Sequence, residues 1–123
     1  MITAVHTLVY ADDPEQARAF FRDVLGWPHV DAGGGWLIFK TGPSELGVHP
    51  TGPLRDGSTT PRHHAISFVV DDLDATMVEL RGRGAEFSSG PDDHGYGIVA
   101  MVTVPGADEL QLYQPRHQTA YAL

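Results

Sequence analysis

Two stretches of this chain open in the same way. Ile2 to Tyr10 is an apolar, β-branched run that reads as a strand. Asp12-Asp13-Pro14 follows at once: Asp13 is a good helix N-cap, Pro14 suits the first helical position, and Gln16 stands where a capping box takes Glu or Gln. Ala17, Phe20, Phe21, Val24 and Leu25 then recur at helical spacing, one apolar stripe made for a sheet, until Gly26 ends the helix. Short strand candidates come next, around His29–Ala32, Trp36–Thr41 and Glu45–His49, with turns at Gly33-Gly34-Gly35 and Gly42-Pro43 between them.

Residues 51–62 are rich in Pro, Gly, Ser and Thr, carry no periodicity, and read as a linker. The pattern then restarts. His64 to Val70 is strand-like, Asp71-Asp72 caps a second helix, Leu73, Met77 and Leu80 are its apolar stripe, and Gly82 and Gly84 close it. Three more strand candidates follow at Ala85–Ser88, Gly97–Val104 and Glu109–Tyr113, separated by turns at Pro91–Gly95 and Pro105–Ala107. His6 and His64 are 58 residues apart, and Asp12 and Asp71 are 59 apart, so the second half repeats the first. Each half is strand, helix, three strands. The expected fold is α+β: two tandem βαβββ modules, residues 1–50 and 63–115, forming an eight-stranded cup-like sheet with helices outside and a tail at 116–123.

Composition narrows the partners. A chain of 123 residues with 41% hydrophobic content can bury roughly 65–70% of its unfolded surface as one domain. It contains no cysteine, so disulfide frameworks, thiolate zinc sites and cysteine nucleophiles are excluded. Sixteen acidic against eight basic residues give a net charge of −8, which opposes nucleic acid and anionic membrane surfaces. No apolar run approaches the roughly 20 residues of a membrane span, and Met1–His6 has no signal-peptide pattern, so a cytoplasmic protein is expected. No serine sits on a strand–turn–helix elbow, and the glycines at 33–35 are wrongly spaced for a phosphate cradle.

The repeat resembles the vicinal oxygen chelate superfamily, which includes glyoxalase I, extradiol dioxygenases and bleomycin-resistance binding proteins. The resemblance runs from about Ile2 to Pro115 and is carried most specifically by His6–Asp13, Phe20–Trp27 and His64–Leu73. It implies a pocket at the centre of the cup and a homodimer. In metal-dependent members the resemblance implies a His, a Glu or His, a second His and a Glu on the first and last strands of the two halves. His6 falls on the first position. The second falls on Ala65, one residue after His64, and a one-residue shift reverses the face of a strand. A bulge near Val69-Val70 would restore His64, and His63 competes with it. Glu45 and His49 share strand parity, so they are either both candidates or a strand-end pair exposed at the rim. On the last strand, Leu110-Gln111-Leu112-Tyr113-Gln114-Pro115 puts the neutral Gln111 where the metal-dependent pattern has Glu; Glu109 shares its parity but lies two residues, roughly 6–7 Å, away.

Two functions follow as expectations. One is a metal-free cup that sequesters an aromatic or bulky metabolite or antibiotic, lined by His6, Trp36, Phe39, His49, His64, Tyr96, Met101, Gln111 and Tyr113. The aromatic members are equally readable as ordinary core. The other is a metal-dependent enzyme of the glyoxalase or extradiol type. There His6, His64, Glu45 and Glu109 hold one divalent ion (Zn, Ni, Fe or Mn), with Glu109 or Glu45 as base. The Pro91–Gly97 segment is either a mobile flap or a plain hairpin turn, and the tail either frays or crosses a second subunit.

Overall fold

A computed structural model describes residues 6–123, so Ile2–Val5 of the first expected strand lie outside the described residues. The fold is α+β with eight short strands: β1 (His29–Asp31), β2 (Leu37–Phe39), β3 (Gly52–Pro53), β4 (Thr59–Thr60), β5 (Ser67–Val69), β6 (Phe87–Asp93), β7 (Gly97–Val102) and β8 (Leu110–Pro115). Two α-helices accompany them, α1 (Pro14–Ala19) and α2 (Leu73–Gly82), and a 3-10 turn spans Ala120–Ala122. A four-stranded sheet has the order β5-β8-β7-β6, and β1-β2 and β3-β4 are two-stranded ribbons. No helix among the described residues is long and apolar enough to cross a membrane.

The second half is a complete βαβββ module. Asp72 caps α2 by accepting from the Ala75 N–H at 3.0 Å, and Leu73, Met77 and Leu80 are buried against the sheet. Burying three such side chains contributes roughly 1.5–3 kcal/mol each. α2 carries the chain from one edge of the sheet, β5, to the other, β6; β7 and β8 then fill the middle. β8 therefore runs parallel to β5 and antiparallel to β7. Gln114 near its end accepts the Leu73 N–H at 2.7 Å, fixing the start of α2 to the sheet.

The first half departs from its expected pattern in three places. Asp13 caps α1 through Gln16 N–H at 3.1 Å, but the capping box is not reciprocal, because the Asp13 N–H donates to the Gly106 carbonyl at 3.2 Å. The helix then widens into a π turn over Phe20–Val24, with Leu25 N–H reaching Phe20 O at 3.2 Å. The consecutive Phe20 and Phe21 are both buried, and the wider turn brings both rings onto the core side. His6–Tyr10 has no strand assignment, with one bridge at Ala11 to Ala107, and Glu45–His49 is irregular rather than a strand. Leu46 and Val48 are exposed there: an alternating pattern needs a neighbouring ladder, and among the described residues none lies beside it. Within the expected linker the β3-β4 ribbon closes through Leu54 N–H to Ser58 O at 2.8 Å. β6 also extends through Asp93, taking up residues expected as turn.

Three contacts dock the first half on the second. Trp27 meets Phe68 of β5 edge-on at 4.9 Å, within a cluster that includes Phe21 and Phe39. Arg83, just after α2, donates to the Val24 carbonyl at 3.0 Å and so satisfies an open end of the π turn. Gly106 lies against Asp13, and a Cβ there would come within 2.8 Å of the Asp13 Cβ and carbonyl oxygen. Gly106 also has φ +78, whereas Gly95 has φ +82 with open space around it. Gly95→Ala should cost about 1–2 kcal/mol for the left-handed backbone alone. Gly106→Ala should cost at least about 1 kcal/mol more, since backbone must also move, and denaturant unfolding of the two variants side by side measures the difference.

Candidate functional site

Strand alternation divides the side chains of the four-stranded sheet between two faces. Leu110 and Leu112 of β8 and Ala100 and Val102 of β7 are buried in the core cluster with the α2 side chains. The intervening positions form the opposite, open face. Its rungs are set by register: Ser67 with Gln111 with Met101 with Ser89, and Val69 with Tyr113 with Val99 with Asp92. Met101, Gln111 and Tyr113, all expected to line a pocket, thus stand together, joined by Ser67 and Val69.

The centre of this face is polar but neutral. Ser67 Oγ donates to Gln111 Oε1 at 2.5 Å, which leaves the donors of the Gln111 amide nitrogen for other partners. One rung on, the ring of Tyr113 lies across Gly97, where any Cβ would overlap it. Burial, and then the nearby Tyr96 and Glu45, push the Tyr113 phenol above its ordinary value, so it is a protonated donor at neutral pH. Tyr96 meets it edge-on at 6.0 Å, His94 stacks on Tyr96 at 5.9 Å, and His117 lies 5.8 Å from Tyr113 on the other side. An aromatic strip therefore borders two neutral donors and a thioether, a surface suited to a planar compound carrying hydrogen-bond acceptors. Beside it, an open groove of about 770 Å³ is lined by Val69, Thr76, Gln114, His117, Thr119 and Tyr121 among others.

The remaining expected lining residues stand elsewhere. Phe39 packs on Phe21 and Trp27 in the first-half core, because the β1-β2 ribbon turns it inward. Trp36 is exposed at the tip of that ribbon under the Arg18 guanidinium, 4.5 Å from its ring centre. His6, His49 and His64 are exposed and outside the strands. Carrying the β5 alternation back from Ser67 gives Ala65, not His64, the parity of Gln111, and the β5–β8 register contains no bulge.

The donors expected for a cation are likewise separate. Glu45 accepts from the Ala120 N–H at 2.7 Å, with His117 Nε2 3.9 Å from its other oxygen. Glu109 accepts from the Ser88 hydroxyl. No three His, Asp or Glu side chains converge as a cation site among the described residues. As folded, His6, His64, Glu45 and Glu109 do not fit a shared divalent ion.

Strand parity would have added Ser67 and Val69 to the candidates once β5 was paired with β8. His117 and the Arg116–Asp93 pair were not visible in the sequence, since they depend on where the tail turns. Arg116 grips both Asp93 oxygens, at 2.5 and 2.7 Å, and also donates to Gly95 O at 3.2 Å. This fastens the β6–β7 hairpin, the segment considered as a flap.

A match to the family model described as "Glyoxalase/Bleomycin resistance protein/Dioxygenase superfamily" spans residues 3–109. CFP32 of Mycobacterium bovis, and that of Mycobacterium tuberculosis, assigned by name to the glyoxylases, are 27% identical over 121 residues. That alignment covers 94% of this chain and 45% of CFP32, so the chain spans under half the length of these curated relatives. A Sphaerobacter thermophilus member of the glyoxalase/bleomycin resistance protein/dioxygenase superfamily superposes with a TM-score of 0.62 at 21% identity, covering 92% of this chain and 98% of its own. TnmS3, an antibiotic binding protein from a Streptomyces, gives 0.57 at 20% identity over 93% and 97%. Lactoylglutathione lyase from Agrobacterium tumefaciens gives 0.60 at 19% identity over 92% and 94%. These likenesses establish the fold.

Arg116 holds the Asp93 carboxyl well below the ordinary carboxylate range, helped by the Gly95 N–H. A depressed folded pKa contributes stability that is full above the unfolded value near 4 and is lost as pH falls through the folded one. Wild type should therefore exceed Arg116→Ala in Tm at pH 6–7, and the gap should narrow progressively below about pH 4. Both partners are largely exposed, so raising the salt concentration should shrink the gap as well.

Proposed function

The chain belongs to the glyoxalase/bleomycin resistance protein/dioxygenase superfamily, and from that premise we propose that it binds a small aromatic or otherwise bulky molecule on the open face of its four-stranded sheet, without a metal ion. The observation that carries the reading is the Ser67–Gln111 pair. Where the metal-dependent pattern has a carboxylate, this chain has an amide whose oxygen is already occupied by a hydroxyl proton. An amide is a poor ligand for borderline cations and a good hydrogen-bonding partner for a neutral ligand. Met101 and the Tyr96–Tyr113 strip supply the apolar contact.

The binding cycle needs no covalent step. A planar compound lies against the aromatic strip, the Gln111 amide nitrogen and the Tyr113 hydroxyl donate to its acceptors, and water leaves the apolar contacts. Fixing the Gln111 amide through Ser67 in advance lowers the ordering cost of binding. The likeness in fold to an antibiotic binding protein makes antibiotics a reasonable class to screen first. The glyoxylase name of CFP32 favours screening for turnover alongside.

A homodimer belongs to the same proposal. Tyr10, Leu46 and Val48 are all more than four-fifths exposed in the single chain, an apolar surface that a second copy would cover.

Metal analysis of protein purified without chelator or histidine tag, paired with thermal shift, separates the readings. Less than stoichiometric Zn, Ni, Fe and Mn is expected, together with a Tm increase for at least one aromatic ligand that Gln111→Ala weakens. A ligand at 100 times its Kd adds about 2.7 kcal/mol, a shift of several degrees. One divalent ion per chain, lost on His6→Ala, would overturn the metal-free reading.

A further inference from the structure

We propose that residues 116–123 form a strap over one end of the open face, rooted at Arg116 and latched at its tip by Glu45. The root is firm: Arg116 holds both oxygens of Asp93, which belongs to the paired strand β6. The tip hangs on less. Ala120 donates to Glu45 Oε2 at 2.7 Å, and His117 Nε2 lies 3.9 Å from Oε1. Glu45 itself sits on the irregular segment between β2 and β3, where no ladder among the described residues holds the backbone. A charge-assisted hydrogen bond between an irregular segment and the single 3-10 turn Ala120–Ala122 opens more readily than a bidentate clamp on a strand. The geometry is that of a hinge at Arg116 and a catch at Ala120.

What the strap covers gives it a role. His117 stands 5.8 Å from Tyr113, and His117, Thr119 and Tyr121 line a groove of about 770 Å³ that takes in Val69 of the open face as well as Gln114 and, at the start of α2, Asp71 and Thr76. Tyr113 and Val69 are the open-face residues at that end. The Glu45 carboxylate also lies near enough to Tyr113 to help raise its phenol, so the catch and the pocket wall are neighbours. A ligand entering from this end passes the strap, and release of Glu45 opens the way. Glu45 thus holds the tail rather than serving as a base or metal ligand. The inference rests on the proposed binding face only in taking Tyr113 as a pocket wall.

Two readouts on the 123-residue chain test it: hydrogen exchange of the Ala120 amide, and nitration of each tyrosine by tetranitromethane, followed by mass spectrometry. In wild type, Tyr113 should react more slowly than its exposed neighbour Tyr96. Glu45→Ala should raise Ala120 exchange and Tyr113 nitration together, by about tenfold, the effect of one charge-assisted hydrogen bond on an opening equilibrium. Tyr10 and Tyr96 should not change. Glu45→Gln removes the charge that bears on the phenol but keeps an acceptor for Ala120, and should stay near wild type in exchange. Unchanged Ala120 exchange in Glu45→Ala would refute the latch. Raised exchange with Tyr113 reacting no faster than in Glu45→Gln would refute the cover. Tyr113 matching Tyr96 in wild type would refute it without any variant. None of these results depends on a ligand, so they stand apart from the success or failure of the binding reading.

Discussion

A strand paired on both sides cannot slip by one residue without breaking two ladders at once, and β8 is such a strand. Its register with β5 and β7 sends Leu110 and Leu112 into the core and leaves Gln111 and Tyr113 on the open face. The same strand anchors α2 through Gln114 and leads directly into the strap through Arg116. Core, pocket and tail are therefore coupled to one alternation of side chains. The energetic weight lies on the apolar side, and it is this weight that holds the polar side in place.

The neutral centre of the open face has a structural cause as well as a chemical one. Ser67 and Gln111 face each other across a parallel pair, close enough for the hydroxyl to occupy the amide oxygen. A carboxylate at position 111 would bring a charge to the middle of a sheet whose neighbouring groups are Ser67, Met101 and Tyr113. The proteins with this fold include both an antibiotic binding protein and a lyase, so the fold alone does not select a chemistry.

Legibility in the sequence differed sharply between the two halves. In the second half, local signals and tertiary structure agree: Asp72 caps, Leu73, Met77 and Leu80 are buried, and alternation along β7 and β8 matches the two faces. Met101, Gln111 and Tyr113 could be placed for that reason. In the first half, the strand patterns at 6–10 and 45–49 find no ladder among the described residues, and periodicity carries no information about the neighbour. The paired phenylalanines turned α1 into a π turn, which helical spacing does not foresee. The parity of Glu45 allowed an inward-facing ligand, whereas its carboxylate holds the backbone of a tail 75 residues further on. Contacts of that sequence separation, between an irregular segment and a short 3-10 turn, leave no local trace.

The central claim, that the face away from α2 receives an aromatic ligand, has a direct internal control in the two described methionines. Met101 stands on that face beside Gln111, while Met77 is buried under the opposite one. With methyl-labelled methionine, adding a bound aromatic compound should move the Met101 methyl resonance upfield through the ligand's ring current and leave Met77 in place. Binding that leaves Met101 unmoved, or moves Met77 instead, would contradict the account.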